Sequence, residues 1–355
     1  MLSLPVPADA AAALAAPDVV VDFGVDLLDG ADAVVEDISA DVVSFTVERS
    51  MYADVHGTCE IQLLRDLAWG VDRVSPWLSV SGKVWPLGVF FLTSPEMKAG
   101  EEPRTRSVSG MDKLWLLRRP VGDTFVAQAG FSYLDAVRGA LAASGVTGQL
   151  LLQGDRQGTL LEEPAVWLLA EEPKSWLRVV NDLLGMIGYR GLWVDGLGRF
   201  RSEPYVSPLR RAAGWIFDTS DAATNIVGED RSATADLFDA PNWWRFVRRG
   251  QAVIPQPGYG MYTVDRVGSA LPNRKVVFLD AADQASLVAQ GDRIVDQDTQ
   301  NNRLVTLESS PLPAGHFDVV SVTDPGLGLS GARCQARRWA VTSEGAMTWE
   351  LEVLA

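Results

Sequence analysis

The sequence predicts a mainly β protein with an α+β insert: two barrel-like, strand-rich domains flanking a small mixed α+β domain. Three observations carry this. Strand-like runs dominate both ends of the 355-residue chain, and in the first of them apolar residues alternate with polar ones, the period of half-buried strands. A stretch near the middle carries apolar residues at helical spacing instead. Gly-, Pro- and Asp-containing turns separate the runs, as in antiparallel sheets.

The elements follow in order. Residues 1–17 are alanine-rich, with Asp9 interrupting them, and read as an N-terminal arm. The first strand-rich domain spans 18–117. There Val43, Phe45 and Val47 alternate with Ser44, Thr46 and Glu48, and Cys59, Ile61 and Leu63 alternate with Thr58, Glu60 and Gln62. Leu78 and Val80 continue the pattern, and Gly88 to Thr93 adds a further run. The α+β domain spans 118–208. A helix is expected over Tyr133 to Ala143, stopped by Gly145, and a short strand over Gln149 to Gln153. A stronger helix follows Pro173, with Trp176, Val180, Leu183, Leu184 and Ile187 on one stripe and Gly188 as its cap. Leu192 to Val194, the turn Asp195 to Gly198, and Arg199 to Pro204 read as a hairpin. The second strand-rich domain spans 209–355, with a helical insertion near 281–298. Its strands are expected at Trp243 to Arg249, Val276 to Leu279, Arg303 to Glu308, Phe317 to Thr323, Ala332 to Thr342 and Thr348 to Leu354. Trp176, Leu183, Ile187 and Trp193 are the expected structural core of the insert. No sequence repeat links the two strand-rich ends.

Composition narrows the function. The chain holds 46 acidic and 31 basic residues, a net charge of −15, which disfavours sequence-independent binding to phosphate backbones. Its two cysteines lie far apart and indicate no disulfide framework, and two histidines leave little for zinc or triad chemistry. No run approaches the roughly 20 apolar residues of a bilayer span, and the N-terminus lacks the basic start of a signal peptide. Twelve tryptophans suit packed cores and subunit interfaces.

Individual motifs resolve to structural readings. Gly326 to Gly331 has G-x-G-x-x-G spacing, but a strand and not a helix is expected after it, so it reads as a turn. Asp296 to Asn301 opens like a calcium loop but lacks its sixth-place glycine and twelfth-place glutamate, and reads as a polar helix end with solvated carboxylates. Trp243 to Arg249 interleaves aromatics with arginines. Trp244 and Phe246 would share one face and Trp243, Arg245 and Val247 the other, one of them a core face and one an interface face. Trp243, Arg245 and Arg248 are the candidate interface residues, with a stacking platform for sugars or single strands as the other reading. His56 follows Asp54 and Val55 in a loop and reads as a surface histidine. No nucleophile elbow, zinc-protease helix or P-loop occurs, so no catalytic, cofactor or metal residues are assigned.

Three phrases carry a resemblance. The first runs from Trp85-Pro86-Leu87-Gly88-Val89 through Thr93, Ser94 and Pro95, with Gly110-Met111-Asp112-Lys113-Leu114 after it. The second is Ser175-Trp176-Leu177, Asn181 to Leu184, Gly188-Tyr189, Leu192 to Asp195, Gly198, Pro204-Tyr205 and Pro208. The third is Phe317 to Asp324. From about Val42 onward the chain resembles tail-tip and baseplate hub proteins of tailed bacteriophages, in the non-contractile, actinobacterial minor tail protein branch. The phrases are packing and turn phrases, so they speak to architecture more than activity.

The resemblance implies a homotrimer whose paired barrel-like domains form a ring of pseudo-sixfold symmetry. Such a ring joins the tail tube to a central fibre or spike and surrounds the genome exit channel. Its implied partners are a distal tail protein ring or tail tube, the tape measure protein and the central fibre or spike. The implied location is the virion tail tip, after assembly in the host cytoplasm, in a virus or a domesticated injection machine. Many relatives continue into a lysin or receptor-binding extension; here such a part is expected to be absent or carried by another protein. No cofactor, sequence-specific nucleic acid or membrane insertion is implied. The alternative from another class is a tail-associated cell-wall hydrolase or glycan-binding tail protein.

Overall fold

The strand Val42–Ser50 hydrogen-bonds on one side to Gly57–Leu63 and on the other to Leu329–Thr342, so the two ends of the chain meet in one sheet. This is a computed structural model. It describes residues 20–68, 70–93, 96–97, 105–154, 158–168, 174–220, 228–235, 241, 243–248, 261–263, 273–300 and 303–354. The expected arm 1–17, and Ser94, Pro95, Pro173, Arg249 and Asn301, lie outside them.

Among the described residues the main sheet has fifteen strands. On the N-terminal side of the junction the order after Val42–Ser50 is Gly57–Leu63, Arg106–Met111, Phe90–Leu92, Arg73–Val80, Val21–Leu28 and Val34–Asp37. On the C-terminal side Leu329–Thr342 pairs with Met347–Val353 and Val319–Asp324; Arg303–Ser309 and Trp215–Asp218 extend those two branches. At the junction Val47 faces Val341 and Arg49 faces Trp339, and an Arg338–Glu48 ion pair of 2.6 Å crosses it. Alternation places Phe45, Val47, Cys59, Ile61 and Leu63 inward, where they share a core with Phe217, Val320, Trp339, Trp349 and Leu351. The two strand-rich ends are therefore halves of one sheet around one core. Val43, by contrast, stands exposed.

The middle of the chain folds over a second core. Tyr133–Ala143 is a helix whose cap is reciprocal: Ser132 Oγ accepts from Asp135 N at 3.0 Å and donates to Asp135 Oδ2 at 2.7 Å. Trp176–Met186 is capped by Ser175, whose Oγ accepts from Arg178 N. It ends where Gly188 adopts φ +73°; a side chain there would be strained and would also meet Ala289 Cβ at 2.8 Å. Leu177, Val179, Val180, Leu183 and Leu184 of this helix are buried together with Ile187 just after it, whereas Trp176 is half-buried against Phe125, ring centroids 5.5 Å apart. Leu150–Leu152, Phe200–Ser202 and Trp193–Val194 form a three-stranded sheet beside these helices.

The expected helical insertion is the helix Gln284–Gln300. It packs with a separate three-stranded sheet, Met261–Thr263, Trp243–Arg248 and Arg274–Leu279, around Trp244, Phe246, Ala281 and Leu287. Ala282 N donates to Met186 O at 2.8 Å, tying this module to the helix of the middle unit. Trp243–Arg248 thus belongs to this module and not to the main sheet.

Candidate functional site

The three phrases singled out in the sequence converge on the seam between the main sheet and the α+β unit. Arg49 holds the centre. It continues the inward phase of Phe45 and Val47, so strand geometry delivers a guanidinium into the core. There Arg49 Nη2 donates to Leu87 O at 2.7 Å, and Nη1 lies 3.4 Å from Asp112 Oδ2. Asp112 also accepts from Gly57 N at 2.7 Å and Leu114 N at 2.9 Å. Both side chains are almost wholly buried. Burial pushes Asp112 up to about 6 even with Arg49 and two backbone donors opposing it, and burial also lowers Arg49. Next to it the buried Lys113 ammonium and Arg73 both pair with Asp32.

From the other side, the hairpin Trp193–Val194/Phe200–Ser202 turns through Asp195, whose Oδ1 accepts from Leu197 N and Arg199 N. Gly198 sits at φ +72°, and a Cβ there would come 2.7 Å from Val89 Cγ2. Trp193, 1% exposed, stands outside the α+β core and packs edge-on against Phe317 at 5.7 Å. Phe317 itself has φ +63°, a position rarely taken by a side chain of this size.

His56 is not a surface histidine. Its ring stacks on His316 with centroids 4.6 Å apart and planes 25° off parallel. The loop after Val42–Ser50 folds back beneath the main sheet, with Ser50 N bonded to His56 O, which carries the ring inward. His56 Nδ1 and His316 Nε2 are buried without a hydrogen-bond partner among the described residues. Burial, reinforced by Arg49, drops His56 to about 3; burial, then His56, then the arginines hold His316 well below 6.5.

Beside this pair lies a cavity of about 130 Å³ lined in part by Tyr52, His56, Arg190, Tyr205, Arg293 and Gln297. Tyr205 Oη donates to Asp296 Oδ2 at 2.6 Å, and Tyr52 Oη to Glu352 Oε2 at 2.9 Å. Burial raises Glu352 to about 7. Arg190 stacks against the rings of Tyr205 and Phe317, at 4.7 and 4.9 Å.

The expected interface residues separate. In the module sheet Trp243, Arg245 and Val247 face outward, level with Arg274, Val276 and Phe278 of the parallel neighbour. Arg245 and Arg274 both lie over the Trp243 ring, at 5.1 and 5.5 Å. Val276 and Phe278 are 53% and 59% exposed. Arg248 is engaged within its own chain instead, donating to Ala282 O at 2.9 Å. The calcium-like run is also corrected: Asp298 is no solvated carboxylate, since it accepts from Trp244 Nε1 at 2.7 Å and pairs with Lys275 at 2.8 Å. The glycine-rich run is a turn: Asp324 caps Gly326 and Leu327, Gly328 has φ +66°, and Leu329–Thr342 leads away as a strand. Among the described residues no group of three metal-ligating side chains converges, and no helix is long and apolar enough to cross a membrane.

The residues of the seam were mostly passed over in the sequence. Arg49 had a usable signal, a charge in phase with inward apolar residues. Asp112 and Lys113 sat inside a quoted phrase without an assigned role. Nothing local marked Arg190 or the pairing of His56 with His316, which are 260 positions apart by numbering.

No protein-family model and no curated protein sequence matches the chain. Solved structures do. A tail protein from Neisseria meningitidis MC58 superposes with TM-score 0.66 at 14% identity, covering 94% of this chain and 96% of that one. The 43 kDa tail protein of prophage MuSo2 from Shewanella oneidensis gives 0.60 at 10% identity, covering 93% and 97%. The fold is shared with phage tail proteins. The E. coli c3393 protein is a type VI secretion component described as similar to the T4 tail proteins gp27 and gp5. It gives 0.52 at 12% identity over 89% of this chain and 74% of that one. At such identities the fold is what is shared, and the seam described above is how this sequence builds it.

Proposed function

We propose that the chain is a structural tail-hub subunit and not an enzyme. In this reading three copies form a ring of pseudo-sixfold symmetry at the virion tail tip. The ring joins the tail tube, or a distal tail protein ring, to a central fibre or spike. The tape measure protein ends against it, and the genome leaves through its channel. Assembly takes place in the host cytoplasm, and the particle is a non-contractile phage of the actinobacterial branch or a machine derived from one.

The observation that carries the reading is likeness to tail proteins over nearly the whole of both chains, 94% and 96% for the Neisseria protein. Two halves of one sheet within a single chain also suit a threefold ring that meets a sixfold tube. The outward face of Trp243, Arg245, Val276 and Phe278 supplies aromatic and arginine side chains of the kind that anchor subunit contacts.

Image reconstruction of the particle carrying this chain tests it. Three copies in a ring at the tail tip are expected; one or six copies would refute the ring. Zymography of the purified chain on peptidoglycan is expected to be blank. A cleared zone abolished by replacing one carboxylate would favour the hydrolase alternative.

A further inference from the structure

We propose that the cavity bounded by Arg190, Arg293, Tyr205 and His56 binds an oxyanion, a phosphate-type or carboxylate group. The cavity holds about 130 Å³, where one water needs roughly 10–15 Å³, so it has ample room for such a group.

Its cationic wall is built and unsatisfied. Arg190 is 6% exposed. One amino group, Nη2, donates to Val206 O at 2.9 Å, while buried Nε has no partner among the described residues. Arg293 likewise has a buried Nε without a partner. Among the described residues no carboxylate comes within ion-pair distance of either guanidinium; Glu203 and Asp296 act on Arg190 only from further away. Asp296 accepts from Tyr205, and Glu352 from Tyr52.

Burying a guanidinium without a counterion is costly, and a chain that buries one and the Nε of a second around one cavity is arranged for a charge it does not itself supply. The ring stacking that holds Arg190 leaves its in-plane N–H edge for an acceptor, the geometry that suits bidentate oxyanions. Tyr52 and Gln297 add neutral polar lining. The occupant has two sources of the same chemistry: free phosphate, or an Asp or Glu side chain from an adjoining polypeptide in an assembly. The proposal does not depend on the tail-hub reading.

Thermal melts of the purified chain test it, with chloride replaced by inorganic phosphate in one series and by acetate in another, at constant ionic strength. A saturable rise of about 2–5 °C is expected in at least one series. A response to phosphate identifies the tetrahedral ligand; a response to acetate alone identifies the carboxylate. Arg293→Gln keeps a polar residue at a partly buried helix position and is expected to fold and lose the rise. Arg190→Met should lose it as well. No rise in either series, or an equal rise in wild type and Arg293→Gln, would overturn the site and leave an adventitious ion only.

Discussion

His56 and His316, the two histidines of the chain, stack on each other 4.6 Å apart inside the seam between the main sheet and the α+β unit. Both are held neutral there, His56 down to about 3. Below pH 6.5 the unfolded chain binds two protons that the native seam refuses, so each imidazole removes about 1.4 kcal/mol of stability per pH unit. Asp112 and Glu352, raised to about 6 and about 7, act with the opposite sign. They keep protons in the native state that the unfolded chain has released, and so stabilise it as pH falls toward their ordinary values. From pH 6 to about 4.5 the two pairs offset, and their joint contribution is expected to be nearly flat. Below about pH 4 that offset is gone and stability falls steeply. In His56→Phe, urea unfolding across pH 6 to 4.5 should show stability rising by about 1.4 kcal/mol per unit of acidification relative to wild type. Parallel pH profiles in the two proteins would show that His56 is not held neutral.

Arg49 and Asp112 form a buried pair in which removing one partner strands the other. Arg49→Met is expected to cost about 3–5 kcal/mol, because Asp112 stays buried with only backbone donors. The double replacement Arg49→Met/Asp112→Leu should recover part of that loss, although Gly57 N and Leu114 N lose their acceptor. A double-mutant cycle by chemical denaturation checks this, and additive losses would count against the pair.

The helix Trp176–Met186 offers an internal comparison. Leu183 is fully buried, and Leu183→Ala is expected to cost about 2–5 kcal/mol. Trp176 is half-buried against Phe125, so Trp176→Ala should cost less than a fully buried Trp does. A larger melting-temperature loss for Trp176→Ala than for Leu183→Ala would place the helix in a different packing.

The outward strand face predicts a separation of folding from assembly. Trp243→Ser and Phe278→Ser remove side chains that lie outside the module core of Trp244 and Phe246. They are expected to leave the monomer's melting temperature within a few degrees of wild type while reducing incorporation into particles. Normal incorporation would remove this face from the proposed contacts.

In the proposed ring, DNA must pass without being retained, and each neutralised phosphate would add counterion-release affinity. The surplus of 46 acidic over 31 basic residues would then leave the inner wall net negative or at least not basic. The surface potential of a reconstructed ring decides it; a continuous arginine or lysine belt around the channel would give the acidity another origin, such as solubility.

What the sequence determined by itself is local. Period-two alternation named the strands of the first strand-rich end because burial of one face is written into consecutive residues. Helical apolar spacing and the stop at Gly145 named the Tyr133–Ala143 helix; its Ser132–Asp135 cap emerged only in the structure. The quoted phrases pointed to the tail-hub fold for the same reason: they are turn and packing patterns. Only the tertiary structure decided that the two strand-rich ends share one sheet, because the Val42–Ser50 and Leu329–Thr342 pairing joins segments hundreds of residues apart. It also decided that Trp243–Arg248 builds a separate module, that Asp298 is paired, and that His56 is buried. Charge and aromatic content state what a side chain can do. Whether it meets water, a counterion or another ring depends on non-local contacts, and those arise only when the chain closes.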